Sequence, residues 1–265
     1  MSILETIVAK KRQEVAHQKE AVPLEMMFTI GGQRLNSPVN SMRKSLSASA
    51  TGIIAEFKRR SPSKGWLNPK ANVKDIIPAY ERAGASACSI LTDSDFFGGS
   101  FSDLKKARSL VKLPLLRKDF IIDEYQLYQS RIMGADAILL IAAALTKEEC
   151  KNFSLLAHQL ELEVLLEIHD EKELAYFNEN VDMLGVNNRN LGTFQTDVAV
   201  SFHIIERMKS EIGNGNETPL FISESGLSNP EVVAKLREAG FRGFLIGETF
   251  MRSENFEGEV GNYKL

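Results

Sequence analysis

The stretch TGIIAEFKRRSPSKGW, Thr51–Trp66, opens as an apolar run of strand length and closes in charge. Its first half, GIIAEFK, reads as a buried β-strand. Side chains two apart on a strand share a face, so Glu56 and Lys58 point the same way at its C-terminal end. Arg59, Arg60 and Lys64 follow in a loop that also holds Ser61.

Working outward, the same form recurs in ACSILTD, LPLLRKD, ADAILLIAA, EVLLEIH, DMLGVNN, PLFISES and RGFLIGE, which with the first makes eight runs. Between most of them lie stretches of helical period, among them NVKDIIPAYERAG, EYQLYQSRIMG, KEECKNFSLLAHQL and NPEVVAKLREAG. Three of these four end at or beside a glycine, the usual helix stop. Strands alternating with helices pair in parallel through right-handed crossovers. Eight such units predict a (β/α)8 barrel, an α/β fold, because eight strands close into a packed cylinder. The rival is a doubly wound open sheet, whose dinucleotide form would carry Gly-x-Gly-x-x-Gly after the first strand; none is present. The final stretch, SENFEGEVGNYKL, shows little helical period, so the closing helix is expected to be short or irregular.

The 265 residues suit one domain, since such barrels take about 200 to 250 residues. Residues 1–48 are expected to form a helical extension packed on a barrel of residues 49–265. With 43% apolar residues, 25% charged residues and a net charge of −3, the chain has no global attraction for nucleic acid or anionic lipid. The leader MSILETIVAKKRQEVAHQKE predicts an amphipathic helix and lacks the unbroken apolar core of a signal peptide. No later run is long enough to span a membrane. Cys88 and Cys150 form no Cys-x-x-Cys pattern and read as buried thiols, which suits a reducing cytoplasm.

In a barrel, the loops after the strands form the active face. The strand ends here carry Glu56, Lys58, Lys118, Glu167, Asn187, Arg189, Glu224 and Ser225. Taken singly, each could be a solvated end or half of a structural ion pair. Together they predict a cluster of compensating charges above one core, because unpaired buried charge is costly. Such a cluster can tune lysine and glutamate for general acid and base chemistry. Gly226 and Gly247 follow strands seven and eight, where barrels commonly bind phosphate through backbone N–H groups, and Ser61 is a third candidate contact. His169 follows strand five, but no ligand set accompanies it, so no metal is expected.

The motif IIAEFKRRSPSKG resembles the signature of the indole-3-glycerol phosphate synthase family. LLRKDFIID, ADAILLIAA, EVLLEIHDEKEL, GVNNRNL, ISESGL and FLIGETFM follow in the family's order, and ILETIVAKKRQEV is similar to its N-terminal helix. The resemblance covers nearly the whole chain. It implies a cofactor-free (β/α)8 enzyme of tryptophan biosynthesis that converts 1-(2-carboxyphenylamino)-1-deoxyribulose 5-phosphate into indole-3-glycerol phosphate, carbon dioxide and water. By motif, Lys118 would be the acid that polarises the ribulose carbonyl, and Glu167 the base for loss of water. Lys58 would contact the substrate carboxylate, with Glu56, Asn187 and Arg189 holding that lysine and the substrate in register. Glu224 and Ser225 would bind substrate. Phe97, Phe120, Leu139, Leu191 and Leu227 would line the slot for its aromatic ring. Glu248 stands where many members have a small residue, which leaves its backbone N–H as the expected phosphate contact beside Ser61, Gly226 and Gly247.

The implied partner is a small sugar phosphate, with neither nucleic acid nor membrane, and association with other tryptophan-pathway enzymes is an expectation. Competing readings are phosphoribosylanthranilate isomerase, a Schiff-base aldolase using Lys118, and a catalytically silent barrel. The isomerase expects a Cys and Asp pair that the ends of strands one and six lack.

Overall fold

The computed structural model describes residues 2–212 and 218–263. Among these, eight strands close into a parallel barrel: β1 Ile53–Phe57, β2 Ala87–Leu91, β3 Leu115–Lys118, β4 Ala137–Ile141, β5 Glu163–Ile168, β6 Met183–Asn187, β7 Leu220–Glu224 and β8 Gly243–Ile246. Closure comes from β8 pairing with β1, Ile53 opposite Phe244. These are the eight runs read from the sequence, and closure excludes the open doubly wound sheet.

Most strands are buried on both faces because two cores meet across the barrel wall. Ile53, Ala55 and Phe57 of β1 face outward into the helix layer. Ile54 faces inward with Ala87, Leu116, Ala137, Leu165, Met183, Ile222 and Leu245. The period of two thus gives each strand one apolar set per face.

The outer layer comprises α4 Val73–Arg82, α5 Phe101–Arg108, α6 Glu124–Met133, α7 Lys147–Gln159, α8 Ala199–Ile212 and α9 Pro230–Ala239. Local signals set their limits. The Asn229 side chain accepts from Glu231 N at 2.9 Å, Pro230 occupies the first turn, and Gly240 ends α9 at φ 115°. Thr146 and Glu149 form a reciprocal capping box at the start of α7.

Two connections depart from the simple repeat. Between β5 and β6 the polar sequence offers no apolar stripe, and Glu171–Tyr176 forms only a 3-10 helix, capped by Asp170. After β8 the chain makes two short helices, α10 Glu248–Arg252 and α11 Phe256–Gly261. The short final helix matches the weak period of that stretch; residues 264–265 lie outside the described residues.

The leader serves both ends of the barrel. α1, Ile3–Ala21, starts with a capping box between Ser2 and Glu5. Its first turns lie at the C-terminal mouth, where Ile3, Leu4 and Ile7 face the central cavity. Beyond it, Tyr125 Oη on α6 donates to Val22 O at 2.8 Å. After α2, Leu24–Gly31, the chain reaches the opposite end. There α3, Met42–Ala48, inserts Met42 and Leu46, both fully buried, beneath the barrel interior. Glu163, at the start of β5, accepts from Arg43 N at 2.8 Å and from the Ser41 hydroxyl, fixing this plug.

Candidate active site

Inside the barrel the apolar layers give way to polar ones near the strand C-termini, by the same period of two. Ile54 is followed on its face by Glu56 and Lys58, Leu116 by Lys118, Leu165 by Glu167, and Ile222 by Glu224. Met183 is followed by Gly185 and then Asn187. The strands thus raise a ring of charge above a dry floor.

Within that ring the charges pair closely. Lys118 Nζ donates to Glu224 Oε2 and lies 3.2 Å from Glu167 Oε2. Asn187 Nδ2 donates to Glu167 Oε1 at 3.0 Å, and Lys58 Nζ donates to Glu56 Oε1. Two glycines make room for the acids. A Cβ at Gly185 would stand 2.5 Å from Glu224 Oε1, and one at Gly247 would stand 2.3 Å from Glu56 Oε1.

Burial alone would favour a neutral lysine at position 118. The carboxylates of Glu224, Glu167 and Glu56 outweigh it and hold the Lys118 pKa above its ordinary value. For Glu167, burial opposes ionisation, but Lys118, His169 and Asn187 overcome that and keep the group anionic. Glu224 goes the other way: burial raises its pKa, and the charges of Glu167 and Glu56 add to the rise against the pull of Lys118. The site therefore joins a firm ammonium to one committed carboxylate and one that binds protons readily.

Above the ring lies a cavity of about 430 Å³, within the range of small-molecule sites. It gathers every residue expected to act on or bind the substrate: Glu56, Lys58, Ser61, Phe97, Lys118, Phe120, Leu139, Glu167, Asn187, Arg189, Leu191, Glu224, Ser225, Gly226, Leu227, Gly247 and Glu248. Phe97 and Phe120 lie with centroids 6.1 Å apart and planes tilted by 37°. With Leu139, Leu191 and Leu227 they supply apolar surface beside the charged ring. Elsewhere on the rim, Ser225 and Gly226 both have positive φ, 69° and 76°, directly after β7. A Cβ at Gly226 would meet Thr196 Cγ2 at 2.7 Å, so this turn requires glycine for space as well as for conformation.

Some contacts differ from those expected. Asn187 supports Glu167 on the neighbouring strand instead of Lys58, because both project inward from the paired strands β5 and β6. Arg189 lies past the end of β6; its Nη1 donates to Ser63 Oγ at 2.7 Å and its Nη2 is 3.8 Å from Glu248 Oε2. Lys58 is thus held by Glu56. The side chain of Glu248 also takes Arg252 Nε at 3.2 Å, so both its oxygens face arginines.

Several parts of the site went unread in the sequence. Ser63 belongs to the quoted loop, yet nothing in its spacing announces a bond to Arg189. Asp119, a residue of the cavity wall, lies 2.9 Å from the buried Lys11 of α1, which also meets Asp93 at 2.9 Å and Glu14 at 2.8 Å. Arg117 adds a 3.0 Å pair to Asp119. Position 11 lies four residues from both Ile7 and Val15, on the buried face of α1, so Lys11 interrupts an apolar stripe, and only the fold reveals the carboxylates that meet it there. His169 has its Nε2 3.2 Å from Glu167 Oε1 and its Nδ1 3.4 Å from Glu173 Oε2.

The indole-3-glycerol phosphate synthase family model matches residues 4–262. An indole-3-glycerol phosphate synthase of Bacteroides thetaiotaomicron is 55% identical over 251 residues, covering 95% of this chain and 93% of that protein. One from Neisseria meningitidis serogroup B is 44% identical over 262 residues, covering 98% of each. Among solved structures, a mutant tryptophan synthase alpha-subunit from Pyrococcus furiosus aligns with TM-score 0.62 over 80% of this chain and 97% of that one. At 14% identity that likeness concerns the barrel fold alone. The whole-length match and the close relatives lead to one conclusion: this chain belongs to the indole-3-glycerol phosphate synthase family.

Proposed function

We propose that this cavity carries out the family's reaction, with Lys118 as the acid that closes the ring. The chain is a carboxy-lyase of tryptophan biosynthesis, an indole-3-glycerol phosphate synthase. Its substrate, 1-(2-carboxyphenylamino)-1-deoxyribulose 5-phosphate, offers an aromatic ring with a carboxylate, a ketone and a phosphate. The cavity offers an apolar wall, a buried ammonium and a rim with backbone turns.

The observation that carries the reading is the placement of Lys118 between Glu167 and Glu224 at the base of the cavity. Three carboxylates keep it charged, so it begins the reaction with a proton to give. The ring carbon bearing the carboxylate attacks the ketone carbon, and the carbonyl oxygen takes the Lys118 proton. Carbon dioxide leaves and its bonding electrons return to the ring system. The new hydroxyl takes a proton from Lys58 and departs as water, and Glu167 accepts the proton released as the indole becomes aromatic. Once Lys118 has lost its charge, the strongest cation beside Glu167 is gone, so the basicity of that carboxylate rises when it is needed. Glu56 steadies Lys58, which meets the substrate carboxylate and serves as a second proton donor. Ser61, Gly226 and Gly247, with the backbone N–H of Glu248, take the phosphate, and Arg189 and Ser225 align the chain between the two ends.

A charged, carboxylate-bound Lys118 opposes the aldolase alternative, which needs a neutral amine to attack a ketose. The same proposal includes a cytoplasmic setting, supported by free, buried Cys88 and Cys150, and residues 1–48 acting as part of one domain with the barrel. No helix among the described residues is long and apolar enough to cross a membrane. Association with other enzymes of the pathway is part of the reading and is tested by co-purification. For the activity itself, the protein is incubated with the carboxyphenylamino-deoxyribulose phosphate and indole fluorescence is followed. Growth of the indole signal supports the proposal, and its absence in folded protein rejects it.

A further inference from the structure

The chain carries a buried histidine that the reaction above does not use. His169 directly follows β5 with its side chain 11% exposed, one strand period beyond Glu167. Its two ring nitrogens face two different carboxylates: Nε2 lies 3.2 Å from Glu167 Oε1, and Nδ1 lies 3.4 Å from Glu173 Oε2. Glu173 is fixed in turn, because its Oε2 accepts the backbone N–H of His169 at 2.6 Å. It sits in the 3-10 helix Glu171–Tyr176 that replaces an α-helix in this connection.

A neutral imidazole has a single N–H and can donate to only one of two flanking acceptors, whereas an imidazolium can donate to both. Here Nδ1 bonds Glu173, while Nε2 lies at ion-pair distance from Glu167 Oε1 without a hydrogen bond, so the second carboxylate selects the charged ring through its charge. Burial opposes that charge, but Glu167 and Glu173 overcome it and raise the His169 pKa to about 10. Among the described residues these two carboxylates pair with the ring; Lys118 lies beyond Glu167 and bonds its other oxygen.

We propose that His169 is a positioning residue for the reaction: as an imidazolium gripped by Glu173 it fixes the Oε1 edge of Glu167, leaving Oε2 to face Lys118 and the substrate. Asn187 donates to the same Oε1 at 3.0 Å and the charged ring stands 3.2 Å from it as an ion-pair partner without a hydrogen bond, so one donor and one cation hold that oxygen while, among the described residues, Oε2 meets Lys118. Because His169 keeps its charge when Lys118 gives up its proton, Glu167 stays oriented through the reaction. This inference rests on Glu167 acting as the base.

Two measurements test it. In His169→Gln the side chain keeps an N–H donor and loses the charge. The expected kcat falls about tenfold with KM within about twofold of wild type, and the acidic limb of the kcat profile moves up by about one pH unit as Glu167 becomes easier to protonate. Glu173→Gln, at a more exposed position, should move the same limb in the same direction by less. A folded His169→Gln with unchanged kcat and unchanged acidic limb overturns the proposal. The second measurement needs no turnover: proton NMR of the substrate-free protein should show the His169 ring titrating near pH 10, at lower pH in Glu173→Gln and in Glu167→Gln, with its resonance assigned by loss in His169→Gln. An ordinary imidazole titration in wild type also overturns it. If wild type shows the raised titration but no turnover, the activity reading fails while the charged clamp stands.

Discussion

Lys118 and Glu167 meet 3.2 Å apart although their strands, β3 and β5, are separated by β4. They meet because both residues occupy inward positions at the upper ends of their strands, where the barrel wall curves. The contact is therefore a property of closure, and a flat sheet with the same strands would hold these side chains farther apart.

Gly247 illustrates how closely the acids are fitted. Its replacement by Ala would place a Cβ 2.3 Å from Glu56 Oε1, and Glu56 is the partner of Lys58. Gly247→Ala should displace that pair and lower kcat/KM by about 10²-fold, the usual scale for a misplacement near 1 Å. Steady-state kinetics on folded protein check this, and activity within a few-fold of wild type would show that Glu56 can move freely.

The buried cluster around Lys11 makes a stability prediction. Lys11→Met removes the ammonium that Asp93, Asp119 and Glu14 share, leaving Asp93 buried without that cation. Breaking a buried pair from one side costs about 3–5 kcal/mol. Asp119 keeps Arg117, so the lower end of that range is expected. Equilibrium urea unfolding measures the difference.

A pH prediction follows from His169. Its folded pKa is raised from 6.5 to about 10, so the stability it contributes is fully present below pH 6.5 and is lost as pH rises through 10. The Tm of wild type should exceed that of His169→Gln by more at pH 6 than at pH 10. A Tm difference independent of pH over that window would mean the ring is not charged in the folded protein.

Strand runs and the residues at their ends were legible because two simple rules act on them. Apolar runs between helical stretches imply a parallel barrel, and strand polarity puts Glu56, Lys118, Glu167 and Glu224 at one mouth. The order of the motifs then pointed to the family. What stayed hidden depends on geometry across the barrel. Nothing in the sequence pairs Asn187 with Glu167, Arg189 with Ser63, or Lys11 with Asp119, since each pair joins separate elements. His169 read as a lone histidine for a related reason: one of its partners, Glu173, lies in a connection with no helical signal. Position alone marks the glycines as candidate phosphate contacts, while the space that Gly247 leaves for Glu56 is visible only in the folded barrel.

The central claim is that Lys118 supplies the proton for ring closure. Turnover of the carboxyphenylamino-deoxyribulose phosphate by Lys118→Met, followed by indole fluorescence and compared with wild type, tests it most directly. With circular dichroism showing a folded barrel, kcat should fall by about 10² to 10⁴, the range for loss of a general acid. A folded Lys118→Met that turns over at close to the wild-type rate would contradict the account.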